Sequence, residues 1–293
     1  MRVTVRQLSK HLYAETGYDW ANVGVAVTDS GLVLIDCPVR PSDSQHWQKE
    51  IRPLSPKGFR FLIGTDYHGD HTTGSAFVGD VTFIAPQRVY EEISRTSGKH
   101  PFAKALFVNT LRDQGHTKEA DQIEAAMVPA PQICFEESMV LHLPPLTLEI
   151  RRLGGHSPAC SVVYVPEENV LFSGDVVMDS PTPGMRDANV KQWLAALDWV
   201  EKLNPGHIVP GHGEICGVEV VRKLRNYLQE MGGVMEKIVR AGRSLEEAIR
   251  DPAFDRFFWA DATKGAFWAE ERKETFRKGL ETVYKEAKAA LAG

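Results

Sequence analysis

Near the start of the chain apolar residues recur with a period of two, and near its end with a period of three to four. Residues 3–8 alternate, and the apolar runs 24–28 and 32–36 flank Asp29, Ser30 and Gly31, a short hairpin connection. Residues 41–53 then predict a helix, with Ser42 or Ser44 as its cap. The run 59–64 is short and continuously apolar, as a buried strand would be, and it leads straight into the polar segment 65–71. From Gln87 to about Met127 apolar residues fall three and four apart, which predicts helices. Strand patterns return at 139–143, 146–153, 161–165 and 170–173. Residues 189–203 predict a helix, and 207–212 a strand running into a loop. Beyond that the pattern is helical: 218–231 is amphipathic, Ser244 to Glu247 reads as a capping box, and 264–291 predicts a long closing helix. Two strand-rich blocks separated by helices, followed by a helical tail, describe a layered α/β protein of the α+β kind.

Composition narrows this only a little. The 293 residues are 43% hydrophobic and 25% charged, ordinary values for a globular chain. Lys and Arg number 34 against 39 Asp and Glu, a net charge of −5 that argues against nucleic acid as a partner. The opening residues alternate rather than forming a continuous apolar stretch, and no run is long enough to span a membrane. Four cysteines, Cys37, Cys134, Cys160 and Cys216, contain no C-x-x-C pair and suit neither a disulfide scaffold nor a zinc ribbon. The expectation is a cytoplasmic protein with no membrane partner.

Chemistry concentrates just past the predicted strands. Asp66, His68, Asp70 and His71 share one loop, and His156, Asp175 and His212 each follow a later strand in a glycine-rich setting. Four ionisable groups in one loop compete or repel unless a cation organises them. Imidazole and carboxylate together are a ligand set for Zn, Fe or Mn, with no thiolate required.

This spacing resembles the metallo-β-lactamase superfamily, whose members carry H-x-H-x-D-H, a distant His, a bridging Asp and a final His. The resemblance spans residues 1–216, and the Asp36 that ends the second hairpin strand also resembles a recurrent feature of that fold. It implies an αββα sandwich with a helical insertion at about 87–130 and a helical extension over 217–293. It implies Asp66, His68 and His156 as one metal site, Asp70, His71 and His212 as a second, and Asp175 between them. The implied activity is a dinuclear metal-dependent hydrolase, with two divalent ions, Zn foremost and Fe or Mn as alternatives. A water shared by the ions would be the nucleophile and Asp70 its catalytic partner, against a small ester, thioester, lactone or amide.

Asp66 departs from the motif, standing where its first His belongs. The site then carries three carboxylates rather than two, a less positive centre that favours harder ions. Two His and one carboxylate also resemble the facial triad of non-haem iron, so the rival reading is an iron-dependent oxidoreductase on the same fold; a β-lactamase or nuclease is weaker. Asp66 has a second reading as a hydrogen-bonding partner of His68 or His71. Arg186 and Tyr67 are candidate contacts to a small-molecule substrate. The aromatic residues Phe254, Phe257, Phe258, Trp259, Phe267 and Trp268 read first as core of the C-terminal helices, with a lid or a homodimer face as alternatives.

Overall fold

The structure, a computed structural model, describes residues 5–260 and 266–292, without the side chains of 101–103, 266 and 292. Among the described residues the first sheet has seven strands in chain order: β1 (Arg6–Gln7), β2 (Leu12–Glu15), β3 (Val23–Thr28), β4 (Gly31–Ile35), β5 (Phe59–Ile63), β6 (Thr82–Pro86) and β7 (Ile133–Phe135). Neighbours are antiparallel from β1 to β4 and parallel from β4 to β7. The second sheet has five: β8 (Ser138–Leu143), β9 (Leu146–Arg152), β10 (Ser161–Val165), β11 (Val170–Gly174) and β12 (His207–Pro210). These are antiparallel up to β11, and β12 lies parallel beside it. The helices are α1 (Pro41–Ile51), α2 (Gly69–Thr72), α3 (Gln87–Arg95), α4 (Pro101–Asp113), α5 (Thr117–Ala125), α6 (Val190–Leu203), α7 (Val218–Arg240), α8 (Leu245–Ile249) and α9 (Ala266–Ala292).

The layers are held by three apolar cores. Between the sheets, Leu12, Val33, Ile35 and Ile63 meet Leu148, Ile150, Val163 and Phe172. On the outer face of the first sheet, Val25, Leu34 and Leu62 pack on Trp47 and Ile51 of α1 and Val89 and Ile93 of α3. On the outer face of the second, Val162, Leu171 and Ile208 pack on Trp193 and Leu197 of α6, and that core continues through α7 to Leu280 and Val283 of α9. Helix, sheet, sheet, helix is the expected sandwich, and β4 is buried along its whole length because both its faces are covered. A fourth, smaller core joins Phe107, Val108 and Leu111 of α4 to Ala120 and Ile123 of α5.

The hairpin at Asp29 and Ser30, the strand Ser161–Val165, the start of α6 and the capping box of Ser244 stand where the pattern puts them. Three strands that the pattern does not announce are β2, β6 and β7, each of five residues or fewer. Runs that short are set by their neighbours in the sheet rather than by periodicity. The cap of α1 is also different from expectation. Arg40 is its N-cap residue, Pro41 opens it, and neither Ser42 nor Ser44 caps it with a side chain. Glu119 of α5 does the work instead, accepting from the Ser42 N–H at 3.2 Å and from the Ser42 hydroxyl at 2.6 Å. Residues 3–4 of the first predicted strand and 264–265 of the closing helix lie outside the described residues. Phe254 and Phe257 are core, as expected, whereas Trp259 is 55% exposed.

Candidate metal centre

Four loops leave the carboxyl ends of β5, β9, β11 and β12 at one edge of the sandwich. They bring Asp66, His68, His156 and Asp175 into one group, and Asp70, His71, Asp175 and His212 into another. Within each group the potential ligand atoms lie within 4.8 Å of one another. Asp175 belongs to both: its Oδ2 is 3.2 Å from His156 Nε2, and its Oδ1 is 3.3 Å from His71 Nε2 and 3.4 Å from His212 Nε2. In the second group His212 Nε2 also sits 3.2 Å from Asp70 Oδ2. Gly211 makes this approach feasible, since a Cβ there would lie 1.9 Å from Asp175 Oδ1.

Each histidine turns one nitrogen inward and has the other answered from behind. His68 directs Nδ1 toward His156 Nε2 at 3.0 Å and Nε2 toward Asp187 Oδ2 at 3.0 Å. His71 Nδ1 lies 2.9 Å from Asp36 Oδ2, a carboxylate fixed in turn by the Thr65 N–H and hydroxyl. His156 Nδ1 is 2.8 Å from the Gly184 carbonyl, and His212 Nδ1 is 3.0 Å from the Trp20 carbonyl. Outer acceptors of this kind fix the tautomer so that the inner nitrogen offers a lone pair, which is how metal-binding histidines are held.

Asp66 is arranged in the same way. Its Oδ1 accepts from the Ser157 hydroxyl at 2.6 Å and the Tyr67 N–H at 2.6 Å, while Oδ2 faces His68 Nδ1 at 3.6 Å. Asp66 Oδ2, His71 Nε2 and Asp175 Oδ1 are buried atoms without a hydrogen-bond partner. Buried polar atoms are normally satisfied, so these orphans, Asp66 Oδ2 in the first group and His71 Nε2 in the second with Asp175 Oδ1 beside it, fit a cation in each. Electrostatics says the same. Burial opposes charge on His68, yet Asp66 and Asp187 outweigh it and push it up to about 10. Burial is likewise outweighed at His212, raised to about 10 by Asp175 and Asp70, and at His71, raised well above its usual range by Asp175, Asp36 and Asp70. Without a cation, protons are what balance these carboxylates.

The metallo-beta-lactamase superfamily profile matches residues 20–212, which hold all seven of the predicted ligands. The chain belongs to that superfamily. As a member it is a metal-dependent hydrolase by class. The chain is 21% identical over 242 residues to a type 2 metallo-beta-lactamase of Bacteroides fragilis, covering 78% of the chain and 86% of the relative. It is 24% identical over 222 residues to a linear primary-alkylsulfatase of a Pseudomonas species, covering 66% of the chain but 42% of that longer relative. Among solved structures, a metallo-beta-lactamase from Pontibacter korlensis superposes with a TM-score of 0.63 at 19% identity, over 78% of the chain and 99% of its own. A secondary alkylsulfatase of Pseudomonas reaches 0.70 at 18% identity, covering 97% of the chain and 50% of its own. At 97% coverage, the likeness of fold to that neighbour takes in α7 to α9 as well as the sandwich.

The edge carrying these groups opens into a cavity of about 420 Å³, with His68, Asp70, His156, Asp175 and His212 in its lining. Arg186 lines it, with Nε 3.1 Å from Asp187 Oδ2. Tyr67 instead packs edge-on against the His68 ring, centroids 4.8 Å apart, with its hydroxyl pushed above the usual range by burial and by Asp187. Asp187, Trp20 and Gly184 escaped the sequence reading. Trp20 has a positive φ of 71° and its ring lies 4.8 Å from Phe107 of α4, so a residue of the helical insertion braces the backbone that holds His212. No helix is long and apolar enough to cross a membrane among the described residues.

Proposed function

We propose that the protein is a dinuclear hydrolase that cleaves a small ester-type bond: carboxyl ester, thioester, lactone or amide. The observation that carries this reading is the set of inward-facing, outwardly anchored ligand atoms that share Asp175. Asp66, His68 and His156 would hold one divalent ion, Asp70, His71 and His212 the other, and Asp175 both, zinc being the metal proposed. When bound, such ions supply Lewis acidity and bring the pKa of a water they hold toward neutrality. Asp70 lines the cavity, where its carboxylate can orient an attacking water and receive its proton. Burial and the outer hydrogen bonds fix these groups in advance, so little reorganisation is needed during reaction. Named relatives act on lactams, alkyl sulfates and, in an acyl-coenzyme A thioesterase of Gallus gallus 26% identical over 113 residues, thioesters. That breadth supports the reaction class and leaves the acyl group open. Four free cysteines support a reducing, cytoplasmic setting.

The test is a panel of aryl esters, thioesters and lactones with metal-loaded and chelator-treated protein, beside Asp175→Ala. Hydrolysis that disappears on chelation and in that variant supports the reading; hydrolysis that survives both overturns it. One observation favours a second reading, an iron-dependent oxidoreductase: Asp66 Oδ2, with His68 and His156, offers two imidazoles and a carboxylate. Oxygen consumption by iron-loaded protein in place of hydrolysis would select it.

A further inference from the structure

Two arginines line the cavity, and one of them, half-buried, forms no ion pair among the described residues. Arg272, on α9, lines the cavity and donates to the Thr182 carbonyl. Among the described residues no carboxylate forms an ion pair with it, although Asp70 and Tyr227 act on it electrostatically. Burial pulls its guanidinium below the usual arginine range. Among the other charges of the wall, Arg186 meets Asp187, which also bonds His68, and Asp19 meets Arg40 at 3.5 Å. Glu271 precedes Arg272 on the helix and also lines the cavity.

The arginine is also held in place. Thr182 is 2% exposed, and its hydroxyl accepts from the Trp259 N–H at 2.7 Å and donates to the Trp259 carbonyl at 3.0 Å. That clamp fixes the carbonyl on which Arg272 rests and leaves most of its five N–H donors for another acceptor. The same cavity is lined by the apolar side chains of Trp20, Leu106, Phe107, Met178 and Trp259, beside polar Thr110, Gln114 and Thr275.

We infer that Arg272 is a specificity-determining residue that binds an anionic oxyacid group of the substrate, and that the substrate is amphiphilic, an apolar chain carrying that anion. For turnover this rests on the hydrolase reading above; for binding it does not. The planar fork of arginine suits carboxylate, sulfate or sulfonate alike. Two sources share that chemistry: an anion remote from the scissile bond, as in a half-ester of a dicarboxylic acid, or the acid part of the reacting ester itself, as in an alkyl sulfate.

Binding decides the proposal. Octanesulfonate titrated calorimetrically into metal-loaded protein should bind about 10–100-fold more weakly to Arg272→Gln than to the unaltered chain, with Arg272→Lys in between. Circular dichroism and metal content confirm that each variant is folded and loaded; equal affinity in folded variants overturns the proposal. Turnover then locates the anion. Preference for mono-4-nitrophenyl glutarate over 4-nitrophenyl valerate, lost in Arg272→Gln, places it away from the scissile bond, and hydrolysis of octyl sulfate places it on the reacting group. If neither these nor any member of the ester, thioester and lactone panel is cleaved, yet octanesulfonate binding depends on Arg272, the hydrolase reading fails and the anion site stands.

Discussion

At the scale of single residues the centre is defined as much by what stands behind the ligands as by the ligands. His68 is the clearest case, because its outer nitrogen meets a carboxylate 119 positions away, Asp187. A carboxylate acceptor orients the ring and raises its basicity, and losing such a partner typically costs about 10–100-fold in metal affinity. Asp187→Asn should therefore weaken binding at the first group by that factor while leaving the second tight, read by competition with a chromophoric chelator. Unchanged affinity would make Asp187 a surface partner of Arg186 and no more. The ligands themselves were legible because D-x-H-x-D-H compresses four of them into one loop, and each of the others follows a strand pattern. Their partners were not. Asp187 meets His68 across 119 positions and Trp20 meets His212 across 192, and no local pattern marks encounters of that kind; nor does any mark Arg272 in the cavity lining. Asp36 alone among the partners was signalled, through the resemblance.

At the scale of elements, periodicity gave the helices and the longer strands, and failed where an element depends on a neighbour. The start of α1 shows why. Its sequence offers serines that could cap locally, yet the Ser42 N–H is met by Glu119, which also bonds Arg40 at 2.6 Å. Glu119 lies in the helical insertion, so the cap ties that insertion to the sandwich beside the cavity. Glu119→Ala should lower unfolding free energy by about 1–2 kcal/mol, the worth of a cap with a charge-assisted bond. Urea denaturation checks it, and metal content should be retained. A loss below about 0.3 kcal/mol, well under the usual worth of a cap, would mean that water replaces the carboxylate without cost.

At the scale of the whole molecule, folding gathers Asp36, Asp66, Asp70, Asp175 and Asp187 around four histidines at one edge of the sandwich, and something positive must accompany them. In metal-free protein protons take that part. His68 and His212 sit at about 10 against an ordinary 6.5, so their contribution to stability is fully present below about 6.5 and is lost as pH rises through about 10. Metal binding displaces those protons and strengthens as they leave. The thermal midpoint of chelator-treated protein should therefore fall between pH 7 and 10, and the gap to metal-loaded protein should widen. A gap that stays constant across that range would mean the histidines are not protonated in the metal-free fold.

The central claim is that this edge holds two ions through a shared Asp175, and stoichiometry addresses it without reference to any substrate. Protein purified without chelators or an affinity metal column, stripped and then titrated with zinc, should take up two equivalents per chain with release of protons, and Asp175→Ala should retain neither. A single equivalent, or a second unaffected by the loss of Asp175, would contradict the account.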